Sequence, residues 1–250
     1  MLQNGLYTML KYPVGTAAYF VGLFMFACVL VGYLFGSINS AVVVSRIFYG
    51  DDIRRHGSGN AGLTNTLRTY GKKAAGLVLA GDVLKTVLAI LAGGLLMGVH
   101  YIGAFSLGQG GYLAALGCVL GHVFPVYYKF KGGKGVLCAA AAVLVLSPVV
   151  FAIMLTIFVI LVAFTKYVSL GSVTVALTYP LFFNVTFMAW FGGSTAPSYI
   201  VLFTMFVALF VTWLHRANIK RLWNGEESKL SFSSKPKVEK QTDATDGDAQ

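Results

Sequence analysis

Long apolar runs recur along this chain, and they restrict its possible folds more than any other feature. The runs cover residues 17–35, 74–99, 105–124, 136–165, 173–191 and 199–214. A helix rises ~1.5 Å per residue, so about 20 apolar residues cross the ~30 Å hydrocarbon core of a bilayer. In lipid the backbone must satisfy its own hydrogen bonds, which a helix does within one segment. The sequence therefore predicts an all-α, polytopic membrane helix bundle.

The amino-acid composition supports a membrane protein and indicates which kinds of molecule it binds. Only 11% of the residues are charged, whereas soluble domains carry about a quarter. A net charge of +10 in so apolar a chain indicates anionic lipid head groups and a positive-inside bias, not nucleic acid. No obligate protein partner is evident. We expect residues 1–225 to form the integral membrane domain and the polar residues 226–250 to form a disordered cytoplasmic tail.

The cysteines and the first apolar run predict neither a metal site nor a cleaved signal. Cys28, Cys118 and Cys138 lie in apolar segments without metal-ligand spacing, and their odd number gives no disulfide framework. The run at residues 17–35 has no convincing small-residue cleavage site, so we interpret it as a retained span.

The run at residues 136–165 leaves the number of spans open. It could form one tilted span of about 30 residues, which is long for a single crossing. It could instead form two short spans that turn at Ser147-Pro148, since proline breaks a helix.

The distribution of positive charge favours the two-span alternative. A single crossing would place Lys166 and the basic residues 215–221 outside, whereas two crossings return both to the cytoplasm. Every lysine and arginine except Lys11 and Lys85 then lies inside. We therefore predict seven transmembrane helices, with the N-terminus out and the C-terminus in.

In this topology, polar segments rich in glycine, amide and basic residues share the cytoplasmic face. These are GSINSA at 36–41, DDIRRHGSGNAGLTNTLR at 51–68, GHVFPVYYKFKGGKGV at 121–136, SLGS at 169–172 and HRANIKRLWNGEE at 215–227. Arginine, lysine, amide groups and glycine turns are the usual means of binding phosphate. Their convergence predicts a site for anionic, partly phosphorylated substrates.

The KFKGGKG turn has the composition of an anion-binding turn. Its glycines permit positive φ and close backbone approach, and its lysines add charge. The residues concerned are Lys131, Gly132, Gly133, Lys134 and Gly135. A helix expected from Val136 would point its N-terminal dipole at the same place. The Walker A spacing is absent, so nucleotide hydrolysis is not predicted, and a flexible positive-inside turn is the alternative.

The GSGNAGLTNTLR segment carries more hydrogen-bonding side chains than a turn needs. Hydroxyl and amide groups can donate to phosphate or glycerol oxygens without adding charge. Those groups belong to Ser58, Asn60, Thr64 and Asn65. Arg54 and Arg68 flank them with forked guanidinium groups suited to phosphate. The alternative is that the asparagines and glycines are only turn and cap residues.

Ionisable residues offer further candidates. Asp82 and Lys85 share one helical face, and such an intramembrane pair is either functional or a self-neutralising structural pair. Lys85 could also reach the cytoplasmic phosphate site by snorkelling. Among the histidines, His215 is the strongest candidate because Asn218 and basic residues follow it within two turns. The lone histidines are more often structural, and no H-x-x-x-x-D, H-E-x-x-H or G-x-S-x-G pattern occurs.

The polar segments identify a family. DIRRHGSGNAGLTNTLR, FPVYYKFKGGKGV and HRANIKRLWNGEE resemble the three cytoplasmic motifs of the bacterial acyl-phosphate:glycerol-3-phosphate acyltransferases, and GSINSA, GDVLK and SLGS match as well. The resemblance implies a seven-span enzyme of the bacterial inner (cytoplasmic) membrane, with its active site facing the cytoplasm. It implies transfer of a fatty acyl group from acyl phosphate to the 1-hydroxyl of sn-glycerol 3-phosphate, giving lysophosphatidic acid and phosphate. No cofactor and no metal are implied.

The same resemblance implies two neighbouring subsites. The acyl-phosphate subsite is expected to comprise Ser37, Asn65, Lys131, Gly132, Gly133, Lys134 and Gly135. The glycerol-3-phosphate subsite is expected to comprise Arg54, Ser58, Asn60, Lys85, His215 and Asn218. His215, Lys134 and Arg54 are the expected catalytic residues, and the base is either His215 or the phosphate of the donor. The alternative function is a membrane permease for phosphorylated or other anionic small molecules.

Overall fold

The computed structural model describes residues 17–98, 101–102, 105–106 and 108–230. The described helices are α1 Ala17–Ser37, α2 Ser40–Tyr49, α3 Leu63–Met97, α4 Gln109–Val123, α5 Val136–Leu146, α6 Pro148–Thr165, α7 Val168–Trp190, α8 Ser198–Leu214 and α9 Arg216–Trp223. Two 3-10 turns, Ile53–Arg55 and Val126–Tyr128, and a two-residue hairpin of β1 Tyr101–Ile102 with antiparallel β2 Phe105–Ser106 complete the elements. The prediction of an α-helical membrane bundle is confirmed.

The number of candidate spans is smaller than the number of apolar helices. Five helical stretches are long and apolar enough to cross a membrane, and α8 with α9, bent by 58°, would make a sixth. Helix α5 is apolar but has only 11 residues, about 16 Å at the usual helical rise, which is shorter than the ~30 Å hydrocarbon core. The described fold is therefore polytopic with about five or six candidate spans.

The predicted break inside residues 136–165 is present. Ser147 ends α5 and precedes α6, which has Pro148 in its first turn. Proline fits there because the first amide of a helix needs no intrahelical acceptor. The chain thus forms two helices here instead of one long tilted helix.

Two predicted boundaries were wrong for identifiable reasons. Helix α3 begins at Leu63 and not at residue 74, because Gly71 takes φ 85° and joins a polar first segment to the apolar span through a kink. The third apolar helix begins at Gln109 and not at residue 105, because Phe105 and Ser106 form β2. Residues 1–16 and 231–250, which include the start of the chain and most of the predicted tail, lie outside the described residues.

Helices α1 and α4 cross at backbone contact because each carries two glycines one turn apart. A Cβ added to Gly32 or Gly36 of α1 would lie 2.0 or 2.1 Å from a carbonyl oxygen of α4. A Cβ on Gly117 or Gly121 of α4 would lie 2.1 or 2.2 Å from a carbonyl oxygen of α1. Small residues at this spacing allow membrane helices to pack closely where no hydrophobic driving force exists.

The outer faces of the helices are apolar. Phe164, Val159 and Leu155 of α6 are 85%, 53% and 46% exposed, as expected for side chains that contact lipid. The inner faces of α4, α5, α7 and α8 form one apolar cluster around Phe105, Phe183 and Ile200. A cavity opens between this cluster and α3.

Candidate active site

One cavity of about 1040 Å³ joins polar loops to an apolar groove. Its polar end is lined by side chains of the loop before α3 and the first turns of α3, of the lysine turn before α5, and of the bend before α9 with α9 and the residues that follow it. They are Ser58, Asn60, Asn65, Arg68, Lys134, His215, Asn218, Arg221 and Glu227. Its apolar end lies between α5, α6 and α7, where Phe151, Met154, Phe158, Ala176 and Tyr179 line the wall. The cavity therefore has the polarity of an amphipathic ligand.

Asn65 organises the loop before α3. Its amide nitrogen donates to the carbonyl oxygens of Ile53, His56 and Asn60 at 3.3, 3.0 and 3.0 Å. Its amide oxygen accepts from the backbone N–H of Ser58 at 3.1 Å. Asn65 thus holds the loop from which Ser58 and Asn60 face the cavity, although its own amide is fully engaged.

Arg54 ties two predicted motifs together from behind the cavity wall. Its guanidinium donates twice to the Asp52 carboxylate, at 2.8 and 2.6 Å. It also donates to the carbonyl oxygens of Tyr128 and Lys131 at 2.9 and 3.2 Å. The hydrogen bonds from Arg54 hold the pKa of Asp52 well below its usual range. Arg54 is absent from the lining of the cavity and instead fixes the distance between the two loops.

The lysine turn presents only its second half to the cavity. The amides of Gly132 and Gly133 donate to the carbonyl oxygens of Val123 and His122, each at 3.1 Å, so these two amides are used inside the protein. Of the predicted turn residues, Lys134 and Gly135 line the cavity, whereas Lys131, Gly132 and Gly133 do not. Gly135 has φ 72° immediately before α5, which is why glycine suits that position.

Lys134 is the half-buried cation of the polar end. Its ammonium donates to the amide oxygen of Asn218. Burial, opposed by Glu227 and assisted by the charges of Arg221 and Arg68, lowers the pKa of Lys134 to about 8. A lysine in this state attracts an anion strongly once the anion excludes water from it.

Glu227 fixes the residues after α8. Its carboxylate accepts from Asn218 at 2.7 Å, from Arg221 at 2.8 Å and from Ser169 of α7 at 2.9 Å. Burial raises the pKa of Glu227, but these hydrogen bonds outweigh it and hold the pKa below its ordinary value. Because its amide nitrogen is held by Glu227, Asn218 must turn its oxygen toward Lys134.

His215 is buried at the bend between α8 and α9 and lines the cavity. Its Nδ1 lies 2.8 Å from the carbonyl oxygen of Val211. A carbonyl only accepts, so Nδ1 carries the hydrogen and Nε2 of the neutral ring keeps a free lone pair. That arrangement is compatible with accepting a proton from a hydroxyl group.

Two further predicted site residues, Ser37 and Lys85, lie behind the cavity wall. Ser37 is fully buried, and its hydroxyl accepts from the backbone N–H of Val126 at 3.4 Å. Lys85 is buried between α1, α3 and α4 and does not line the cavity. Its ammonium lies 2.8 Å from Asp82 and donates to the carbonyl oxygen of Ile38 at 2.9 Å.

Sequence reasoning missed several residues of the polar wall. Arg68, Arg221, Ser169 and Glu227 line the cavity, although no predicted subsite contained them. The sequence indicates Arg68 as a residue suited to phosphate without placing it in a subsite, whereas for Arg221, Ser169 and Glu227 the signal exists only at the level of their segments. Glu227 also lies inside the predicted disordered tail, yet it packs against α7 and α9.

The comparisons with known proteins agree over most of the chain. A protein-family model described as "Glycerol-3-phosphate acyltransferase" matches residues 14–225. A protein of the same description from Thermoanaerobacter sp. (strain X514) is 43% identical over 201 residues, which cover 80% of this chain and 93% of the relative. Two crystal structures of PlsY (YgiH), an integral membrane glycerol 3-phosphate acyltransferase, are similar in fold. The glycerol 3-phosphate form has a TM-score of 0.68 and is 31% identical in sequence. The lysophosphatidic acid form has a TM-score of 0.67 and is 30% identical. Each match covers 83% of this chain and 96% of the chain in the crystal structure.

Proposed function

We infer the function of this chain from its family: it belongs to the glycerol-3-phosphate acyltransferases and is an integral membrane enzyme of the PlsY type that makes lysophosphatidic acid. The observation that best supports this function is the amphipathic cavity. Its polar end offers cations and amides for glycerol 3-phosphate, and its apolar end offers a groove for an acyl chain.

We propose that acyl phosphate is the donor and that the 1-hydroxyl of glycerol 3-phosphate is the acceptor. The hydroxyl oxygen attacks the acyl carbonyl carbon and forms the ester bond. The bond from that carbon to the phosphate oxygen breaks, and its electron pair leaves with the phosphate. The hydroxyl proton passes to Nε2 of His215 or to the departing phosphate. Both routes require the two substrates to be held side by side. We expect this positioning, together with electrostatic stabilisation of the transition state, to supply most of the rate enhancement.

The proposed subsites are the two predicted from the sequence. Predicted residues that line the cavity are assigned to substrate contact, and those behind its wall to support. Lys134 and Gly135 contact the phosphate of the donor, and Ser58, Asn60, His215 and Asn218 contact glycerol 3-phosphate. Arg68 and Arg221 line the same wall and add guanidinium donors to the glycerol-3-phosphate side. The predicted residues behind the wall shape the site without touching substrate; they are Ser37, Arg54, Lys85, Lys131, Gly132 and Gly133. Asn65 lines the wall, but its amide is engaged in holding the loop before α3.

We propose that the site faces the cytoplasm of the inner membrane in a seven-span topology, with the N-terminus out and the C-terminus in. The break at Ser147-Pro148 and the placement of positive charge support this arrangement. Single cysteines introduced at residues 131 and 194 of a cysteine-free variant would test it in intact cells. A membrane-impermeant maleimide should label residue 194 from outside and leave residue 131 unlabelled.

Purified protein in detergent or vesicles provides the functional test. With glycerol 3-phosphate and palmitoyl phosphate we expect lysophosphatidic acid and inorganic phosphate in equal amounts. Parallel reactions with palmitoyl-CoA test the donor, since product from palmitoyl-CoA alone would contradict the acyl-phosphate proposal while leaving the acyltransferase function intact. Uptake of glycerol 3-phosphate into vesicles without lysophosphatidic acid would instead favour the permease alternative.

A further inference from the structure

His122 occupies the wall of the cavity but has no role in the mechanism above. It lies in the last turn of α4, is 3% exposed, and lines the cavity next to Gly133. Its Nδ1 lies 3.0 Å from the ammonium of Lys85 and 3.7 Å from the carboxylate of Asp82. A buried imidazole with such neighbours has a determined orientation, and that orientation fixes where its hydrogen lies.

Lys85 determines which ring nitrogen accepts and which donates. An ammonium group has three hydrogens and no lone pair. Lys85 directs these hydrogens at Ile38, Asp82 and Nδ1 of His122. Nδ1 must therefore accept, so the hydrogen of the neutral ring lies on Nε2. Even a doubly protonated ring would carry a hydrogen on Nε2.

The Nε2 edge of the ring faces the lysine turn. A Cβ placed on Gly133 would lie 2.2 Å from Nε2 and 2.6 Å from the carbonyl oxygen of Ala61, so only glycine lets the ring come this close. Within residues 17–98, 101–102, 105–106 and 108–230, Nε2 has no hydrogen-bond acceptor. An N–H group on the cavity wall without a protein acceptor can donate to an oxygen that a ligand supplies.

The position of His122 indicates which ligand oxygen that is. His122 lies between Gly133 of the lysine turn and Cys138 of the apolar helix α5. We therefore infer that it marks the place where the polar end of the cavity meets the apolar groove. The bond between the acyl carbon and phosphate of the donor must lie at this boundary, because the phosphate belongs to the polar end and the chain to the groove.

We propose that His122 is a substrate-binding residue whose Nε2–H donates to a phosphoryl oxygen of the acyl-phosphate donor, with Lys85 and Asp82 as positioning residues that keep the hydrogen on Nε2. The inference rests on the proposed donor. As the bond to the acyl carbon breaks, negative charge grows on the phosphate and the hydrogen bond strengthens, so His122 contributes to kcat as well as to KM.

Substitution of His122 tests the contact. His122→Leu removes the donor and should lower kcat/KM for palmitoyl phosphate by about 10–100-fold, as for a charge-assisted hydrogen bond. His122→Gln keeps a side-chain N–H and should recover part of the loss. Cys118→Ala, one turn earlier on the same buried face, controls for packing and should retain near-normal kinetics. Unchanged kcat and KM in His122→Leu would overturn the inference, provided that the wild-type enzyme uses palmitoyl phosphate.

The pH profile of Lys85→Met tests the positioning role. Without the ammonium, Asp82 draws the hydrogen of the neutral ring to Nδ1, so Nε2 is left bare once the ring loses its second proton. The kcat/KM of Lys85→Met should therefore fall through an additional alkaline limb that wild type lacks, because the neutral wild-type ring keeps its hydrogen on Nε2. Among the residues that the structure describes, the titratable groups next to His122 are Asp82 and Lys85 from α3 and Cys138 from α5. The same profile in variant and wild type would overturn the role of Lys85.

Nitrogen-15 NMR of histidine-labelled enzyme reads the tautomer in the wild-type protein itself, and a variant is needed only for assignment. His122→Gln assigns the resonances by their loss. We expect a protonated Nε2, and a shift of its resonance when inorganic phosphate is added. A bare Nε2 with a protonated Nδ1 would contradict the inference. Absence of palmitoyl-phosphate activity in wild type, with the expected tautomer, would instead point to failure of the proposed donor.

Discussion

The two ends of the cavity are built in different ways. At the polar end, side chains hold the loops in place through directional hydrogen bonds, as in the contacts of Arg54, Asn65 and Glu227. At the apolar end, Met154, Ala176 and Phe158 offer only van der Waals surface. Directional contacts discriminate between ligands by geometry, whereas apolar surface discriminates mainly by volume. We therefore expect strict recognition of the phosphorylated heads and graded tolerance of acyl chains.

Loss of Lys134 should be the most damaging change at the polar end. Lys134→Ala removes a charge-assisted contact worth about 1.5–3 kcal/mol, so kcat/KM for palmitoyl phosphate should fall by more than ~10-fold. Initial rates of lysophosphatidic acid formation measure this. Lys129→Gln, an exposed lysine of the same loop outside the cavity, is the matched control. Ordinary turnover by a folded Lys134→Ala enzyme would show that the polar end does not bind the donor phosphate through this residue.

Arg54 tests whether a residue behind the wall acts through geometry. Arg54→Lys keeps the charge but cannot reach Asp52 and both carbonyl oxygens at once. We expect about a tenfold loss of kcat/KM for both substrates, together with a lower unfolding temperature. A loss confined to KM for one substrate, with normal thermal stability, would indicate direct contact with that substrate instead.

The charge of Lys134 should appear in the pH dependence of the reaction. Because burial lowers its pKa to about 8, the ammonium is charged below that pH and becomes neutral as the pH rises through it. The attraction for the donor phosphate is present below pH 8 and lost above, so kcat/KM for palmitoyl phosphate should fall with a limb near pH 8. Lys134→Arg, whose guanidinium stays charged, should lack that limb. A limb that persists in the arginine variant would assign it to another group.

The smallest expected effect lies at the apolar end. Ala176→Leu adds volume to a buried wall position on α7 and should shift preference from palmitoyl toward shorter acyl phosphates by a few-fold in kcat/KM. The expected size reflects the ~1–3 kcal/mol that methylene groups contribute to discrimination in apolar pockets. Competition between myristoyl and palmitoyl phosphate in one reaction measures the ratio directly. A fall in activity that is equal for all chain lengths would mean that Ala176 does not border the chain.

The sequence predicted the fold wherever apolar length and helix breakers determine it. The break at Ser147-Pro148 follows from the restricted backbone of proline. The start of α3 at Leu63 could not be predicted from apolar length or from a helix breaker, because it depends on a kink at Gly71 inside a polar segment. In the same way, Phe105 continues the apolar pattern but belongs to a strand.

The site was predictable as a set of segments and not as a set of contacts. The donors of Asn65 and Arg54 suit a phosphate and a backbone carbonyl equally well, and only the folded chain shows that both engage carbonyl oxygens. His122 belongs to the polar segment 121–136, but its own side chain gives no signal beyond that of a lone histidine. Its position depends on Lys85 and Gly133, which lie 37 and 11 residues away along the chain.

A structure of this enzyme with bound lysophosphatidic acid tests the central claim most directly, since the product has one phosphorylated head and one acyl chain. We predict that its phosphate lies within hydrogen-bonding distance of Arg68 or Asn218 and that its chain follows α6 and α7 past Met154. A phosphate bound instead on the outer surface beside Arg54 and Lys131, with the chain outside the cavity, would contradict the account.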